Sequence, residues 1–232
     1  VTEFANPHQN VTFASNGGSA HGYLTLPPSG RGPGVLVIQE WWGLTDHIAD
    51  VTERFAAEGF VALAPDLYGG RTTHDSREAS TMMQNLPVEQ ATRDLSGAID
   101  HLLAQHAVTG DSVGVVGFCM GGKFVLVMAA QQGDRVGAAV PFYGLPSAEE
   151  TDFSHLTAPV LGHYGEHDRT ITPEAVEDIR ARIPAASEVP PQMHFYPAGH
   201  AFFNDRSPST YHEDSARLAW ARTLEFLHTH LD

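Results

Sequence analysis

The chain holds a single cysteine, and it stands in GFCMGG, where Gly117, Cys119 and Gly121 fill the pattern G-x-S-x-G with cysteine at the serine position. That pattern describes a sharp turn from strand into helix, crowded enough to demand small neighbours and to strain the nucleophile's backbone. A helix starting at Met120 would aim its N-terminus at the sulfur and favour thiolate. A lone cysteine is ordinarily a small buried apolar residue. Here the preceding strand, the flanking glycines and the following helix together favour a nucleophile.

Such a nucleophile needs an acid and a histidine later in the chain, in that order. GHYGEHD supplies Asp168 just past a strand-like run, with Glu166 as competitor, and MHFYPAGHAFF supplies His200 directly after Gly199, with His194 as the weaker choice. A loop Asp more often caps a helix or forms a turn, so Asp168 is assigned on its place in the order. The same stretch sets His163, Glu166 and His167 in the H-x-x-E-H order of a zinc motif. Shared ligation requires a helix. On a strand, positions four apart are separated by about 13 Å at about 3.3 Å per residue, so zinc is rejected. His101, His106, His228 and His230 read as surface groups on helices.

QEWWGL places Glu40 at the end of a strand-like run, beside Trp41 and Trp42. A carboxylate near a thiol can hold or accept its proton, which would give Glu40 a catalytic role. By the elbow rule, one oxyanion donor is the N–H after the nucleophile and the other comes from the loop after the third strand; these are Met120 and Trp41.

The elements that must position these groups alternate. Strand candidates are 11–14, 22–26, 34–38, 60–64, 112–117, 136–143, 159–164 and 193–196, eight in all. VLVI, VGVV and FVALA are apolar at consecutive positions, as strands buried on both faces are, whereas the first two candidates are mixed and predict an antiparallel edge hairpin. Helical periodicity marks 46–58, 88–106, 120–131, the segment ITPEAVEDIRARI and 210–231. YGGRTTHDSREASTMMQNLP is read as a polar excursion that overhangs a site. The pattern predicts one α/β domain over 1–232, with a mostly parallel eight-stranded sheet and helices on both faces.

Taken together, QEWWGL, GFVALAPDLYGG, GFCMGG, the Gly-x-x-Asp of GEHD and PAGHAFFND resemble the dienelactone hydrolase family (carboxymethylenebutenolidase) within the α/β-hydrolase fold. The segments follow the family's order and spread over almost the whole chain. The resemblance implies Cys119 as nucleophile, His200 as base, Asp168 as its orienting acid and Glu40 as the carboxylate that meets the resting thiol. It also implies enol-lactone hydrolysis without a metal or organic cofactor. One departure concerns the arginines that bind the substrate carboxylate in that family. One of them follows the catalytic histidine closely, but here Phe203 and Asn204 intervene and arginine waits until Arg206. Arg71 and Arg77 lie in the excursion. Trp42, Tyr143, Phe202 and Phe203, with Met82 and Met83, are expected to build an apolar pocket.

Composition sets the outer bounds. The 232 residues are 42% hydrophobic and 18% charged, which fits a folded globular chain. A formal charge of -15 disfavours nucleic acid and anionic membrane surfaces as partners; the small-molecule ester or lactone substrate is what the resemblance implies. One cysteine excludes an intrachain disulfide framework and any multi-thiolate metal site. VTEFANPHQN has neither a basic n-region nor an apolar h-region, and no apolar run reaches the length of a membrane span, so a cytoplasmic location is expected. General esterase or thioesterase activity is the nearest alternative. A thiol redox sensor or a catalytically silent ligand receptor stands further off, because neither needs a matched acid and base.

Overall fold

The computed structural model describes residues 4–185 and 189–232, so the first three residues of VTEFANPHQN lie outside it. Its contacts gather into two compact units that divide between Val113 and Gly114.

The first unit begins with β1 (Val11–Ser15) and β2 (Gly18–Thr25), antiparallel and in register Ser15↔Gly18. Asn16 and Gly17 between them both adopt positive φ, 34° and 91°, as a two-residue hairpin turn requires. This Asn-Gly turn is why β2 starts at Gly18, four residues before the sequence expectation of Gly22. β3 (Gly32–Ile38) and β4 (Val61–Pro65) are parallel and buried at every position, while β2 pairs antiparallel with β4. Between β3 and β4 runs α1 (Asp46–Ala57), whose Ile48, Val51 and Phe55 are wholly buried. Each such side chain contributes about 1.5–3 kcal/mol relative to exposure.

The excursion after β4 contains a helix that periodicity did not reveal, α2 (Ser76–Gln84). Its signal is the capping pattern D-x-x-E. The Asp75 carboxylate accepts from the N–H groups of Arg77 and Glu78, at 3.0 and 2.9 Å, and Glu78 reaches back to the Thr73 hydroxyl at 2.7 Å. α3 (Val88–Leu103) ends before His106, which is exposed in the following turn, and His101 is half-buried with its ring 5.6 Å from Phe13. Neither is the surface helix group expected. β5 (Val108–Phe118) starts four residues early because its first half, VTGDS, is polar and partly exposed.

The second unit takes up the buried half of β5 and continues through α4 (Met120–Gln132), β6 (Val136–Phe142), β7 (Leu161–Gly165), α5 (Pro173–Arg182), β8 (Gln192–Tyr196) and α6 (Glu213–Leu231). β6, β7 and β8 pair in parallel. α4 is apolar on all sides and buried from Met120 to Ala130 except at Lys123. The eight strands run in the order β1-β2-β4-β3-β5-β6-β7-β8. Among the described residues, no helix is long and apolar enough to cross a membrane.

α3 packs closely on β1 through Gly97, where a Cβ would lie 2.1 Å from the carbonyl oxygen of Ala14. Asp94, three residues earlier, accepts from the Ser15 hydroxyl at 2.5 Å and from Gln90 at 2.9 Å. Helix propensity alone favours Gly97→Ala by about 1 kcal/mol. The clash is with backbone, which cannot swing aside, and overpacking of that kind costs about 1–3 kcal/mol. Gly97→Ala is therefore expected to lower the urea midpoint of unfolding; a raised midpoint would show that the helix has room to spare.

Candidate active site

The second unit assembles Cys119, Asp168 and His200. Cys119 sits between the end of β5 and the first residue of α4 with φ 56° and ψ -117°, a sparsely populated conformation for a residue with a side chain. Local hydrogen bonds hold it there. Its N–H donates to the Phe142 carbonyl at 3.0 Å, and its own carbonyl accepts from Gly122 at 2.9 Å and Lys123 at 3.3 Å. The turn is tight enough that a Cβ on Gly117 would stand 2.3 Å from the Gly121 carbonyl oxygen, which explains the glycine before the cysteine.

The sulfur is a half-buried free thiol, 3.4 Å from Nε2 of His200. Nδ1 of His200 lies 2.7 Å from Oδ2 of Asp168. An ionised carboxylate only accepts, so Nδ1–H donates to it and Nε2 is left to exchange a proton with sulfur. Oδ1 of Asp168 accepts from the N–H groups of Thr170 at 2.8 Å and Ile171 at 2.9 Å, an Asx-type turn that fixes the carboxylate plane. Glu166, the competing acid, is exposed, and His194, the competing base, lies in β8 with its ring stacked 6.2 Å from His163.

Burial opposes both charges of the pair, and hydrogen bonding overcomes it. Desolvation lowers the His200 pKa, but its bonds to Asp168 and Cys119, together with their negative charges, raise it to about 10. Desolvation raises the Asp168 pKa, yet His200 and the Ile171 and Thr170 N–H groups bring it below the ordinary carboxylate value. The directed bonds therefore favour the charged forms of His200 and Asp168.

The other expected site residues fall into three settings. Tyr143, Phe202 and Phe203 are buried beneath the base loop rather than presented on an open wall. Tyr143 is edge-on to His200 at 5.3 Å and to Phe202 at 5.4 Å, while Phe203 stacks on Phe118 at 5.2 Å. Arg206 is mostly exposed, 3.6 Å from Asp205. In the first unit, Glu40 is buried in the loop after β3, and the half-buried Trp41 and Trp42 lie ring to ring at 5.1 Å. Arg71 pairs with Glu78 at 3.2 Å and Met82 is buried, both lining a cleft of about 240 Å³ with Leu67, Tyr68 and Thr81, whereas Met83 is exposed. Met120 opens α4.

His163, which carries the rejected zinc pattern, is wholly buried on β7 with both ring nitrogens engaged, by Tyr196 at 2.8 Å and Thr223 at 3.0 Å. Nothing in the sequence pairs it with those two residues. Backbone strain marks the site more plainly: of the four non-glycine residues with positive φ among those described, Cys119, Tyr143 and Ala201 are here.

Comparison with known proteins identifies the family. The model of the dienelactone hydrolase family matches residues 20–231. The chain is 33% identical to Protein usf of Aquifex pyrophilus over 230 residues, covering 96% of this chain and 99% of that one. It is also 33% identical to carboxymethylenebutenolidase of Pseudomonas sp. over 226 residues, with 92% of each chain covered. Among solved structures, a dienelactone hydrolase-like promiscuous phosphotriesterase from metagenomic libraries superposes with a TM-score of 0.83 at 25% identity, over 96% of this chain and 97% of that one. An eight-stranded, mostly parallel α/β-hydrolase sheet matched by the family's model over nearly its whole length makes this chain a member of the dienelactone hydrolase family, a hydrolase of lactones or esters.

Proposed function

We propose that the chain hydrolyses carboxylic esters or lactones, enol lactones above all, by covalent catalysis at Cys119, with His200 as proton carrier and Asp168 as its orienting acid. The observation that carries this reading is the continuous line from Sγ through the imidazole to a buried carboxylate, at 3.4 and 2.7 Å. The Cys119 thiolate attacks the acyl carbon, and the carbonyl electron pair moves onto oxygen. That oxyanion is proposed to take the N–H groups of Met120 and Trp41. Collapse breaks the bond to the leaving oxygen, which receives the proton held by His200, and a thioester remains.

Acylation removes the sulfur's charge and with it part of what raises the His200 pKa. His200 then becomes a base, takes a proton from water, and the resulting hydroxide attacks the thioester. The second collapse expels thiolate and frees the acid. In a lactone the leaving oxygen stays tethered, so the product is a single hydroxy or enol acid. Glu40 is proposed to restrain the thiol proton until substrate arrives. Arg206, Arg71 or Arg77 would serve an acidic substrate, and Trp42 its apolar body. A cytoplasmic setting fits a chemistry that needs its one cysteine reduced.

Replacement of the triad is expected to act as removal of one unit. Cys119→Ala, His200→Ala and Asp168→Asn should each lower kcat by about 10³-fold or more, with unfolding midpoints near wild type. His194→Ala should leave kcat little changed. A panel of enol lactones, aryl and alkyl esters and thioesters is the measurement. Turnover of none of them would favour a redox sensor or silent receptor.

Leaving-group chemistry orders that panel. A thiol of pKa about 8.5 departs from the tetrahedral intermediate far more easily than an alkoxide, so additions to simple alkyl esters mostly revert. Aryl esters, enol lactones and thioesters should exceed matched ethyl or butyl esters in kcat/KM by at least about tenfold. Equal values for aryl and alkyl esters would defeat the argument.

Glu40 is tested on the free enzyme. Iodoacetamide should alkylate wild-type Cys119 slowly, and Glu40→Gln or a bound substrate analogue should speed the reaction. Alkylation at the rate of a fully ionised thiol, unchanged in Glu40→Gln, would remove Glu40 from the mechanism.

A further inference from the structure

β8 ends at Tyr196, and one carbonyl there carries both catalytic turns. The Tyr196 carbonyl oxygen accepts from Glu166 N–H at 2.8 Å, in the turn leading to Asp168, and from Ala198 N–H at 2.7 Å, in the turn leading to His200. His167 N–H adds a second tie to the Ala198 carbonyl at 3.0 Å. The two turns lie so close that a Cβ on Gly165 would stand 2.4 Å from the Ala198 oxygen. Any shift of Tyr196 therefore changes the separation between acid and base.

The Tyr196 side chain is held by a hydrogen-bond chain whose direction is determined. The Thr223 hydroxyl donates to the Ala219 carbonyl at 2.8 Å, so toward His163 it accepts, and the imidazole proton resides on Nε2. Nδ1 of His163 is then an acceptor and takes the Tyr196 O–H at 2.8 Å. The Tyr196 oxygen in turn accepts from Nη1 of Arg222 at 3.1 Å. Burial above all, then the neighbouring His194 and Arg222, keeps the His163 pKa well below the ordinary value, and burial raises that of Tyr196, so both stay neutral as the chain requires. The ring of Tyr196 lies 5.2 Å from Phe202, which continues through Tyr143 to His200. The His163 carbonyl fixes Tyr143 as well, accepting its N–H at 2.8 Å.

We propose that Tyr196 is a positioning residue for the Asp168–His200 pair, its hydroxyl clamped between Arg222 and His163 so that the acid turn and the base turn keep hydrogen-bond distance. The proposal rests on the triad reading above. Loss of the hydroxyl leaves Nδ1 of His163 buried without a donor and Arg222 without its acceptor. The end of β8 then relaxes, the Asp168–His200 bond lengthens, and the imidazolium loses support. His200 faces Cys119, Asp168 and Tyr143. Of these, Asp168 and Cys119 favour its proton, and Cys119 is untouched by the change.

The test is Tyr196→Phe in the full chain, with Arg222→Leu and Arg222→Lys as partners and Cys119→Ala as reference, all assayed on an aryl ester from neutral to alkaline pH. Wild type should lose kcat/KM as pH rises through about 10, where His200 gives up its proton. Tyr196→Phe is expected to lower kcat about tenfold with KM within about twofold, and to move that alkaline limb to lower pH. Arg222→Leu should do the same to a smaller extent and Arg222→Lys should restore most of it. If Tyr196→Phe does not fold, the Arg222 pair decides. Wild-type kcat, or a reduced kcat on an unmoved alkaline limb, would overturn the positioning role. Turnover by Cys119→Ala would instead overturn the triad reading beneath it.

Discussion

A single backbone conformation organises the second unit, the positive-φ turn at Cys119 between β5 and α4. Holding a side-chain-bearing residue there costs about 1–3 kcal/mol, which must be offset by what surrounds it. The offset is visible in the three backbone bonds at Cys119, in the largely buried helix α4, and in Gly117, whose missing side chain lets β5 meet the start of that helix. In return the thiol stands clear of its own strand, at the positive end of a 13-residue helix and within reach of His200.

The same burial that makes the turn rigid sets the terms for the charges beside it. Desolvation disfavours the charged forms of both His200 and Asp168, and directed bonds oppose it. Aromatic side chains lie under the base. Tyr143 packs edge-on against the imidazole and is itself backed by Phe202, while Phe203 stacks on Phe118.

Several buried polar groups in the first unit hold loops in place. Asp66, in the PDLYGG motif, accepts from the N–H groups of Tyr68 and Gly70 and from the Gln9 side chain, at 3.0, 3.0 and 2.9 Å. Burial raises its pKa in spite of those bonds. Asn6 donates to the Leu44 carbonyl at 3.0 Å, and Gln39 accepts from Leu67 N–H at the same distance, so the segment before β1 and the turns after β3 and β4 are stitched together. The motif is thus a turn hub, and its repeated glycines give the backbone room at Gly69 and Gly70, both at positive φ.

Much of this was legible in one dimension because the signals are local. A strand, two glycines and a cysteine within a few residues define a sharp strand-to-helix turn, and consecutive apolar residues define strands buried on both faces, since chain geometry over such spans leaves few alternatives. Elements whose evidence is polar were harder to read. The first half of β5 has no apolar pattern, and α2 is announced by a cap rather than by periodicity. Long-range pairings were invisible altogether. His163 meets Tyr196 and Thr223 across 33 and 60 residues of chain, and Phe202 and Phe203 look like pocket walls until the fold covers them. The sequence by itself determined the cysteine turn, the order of Cys119, Asp168 and His200 along the chain and the class of fold, because each is written in neighbouring residues. Tertiary structure alone decided which acid and which histidine meet, and which aromatic rings are buried, because those depend on how separate strand ends are brought side by side.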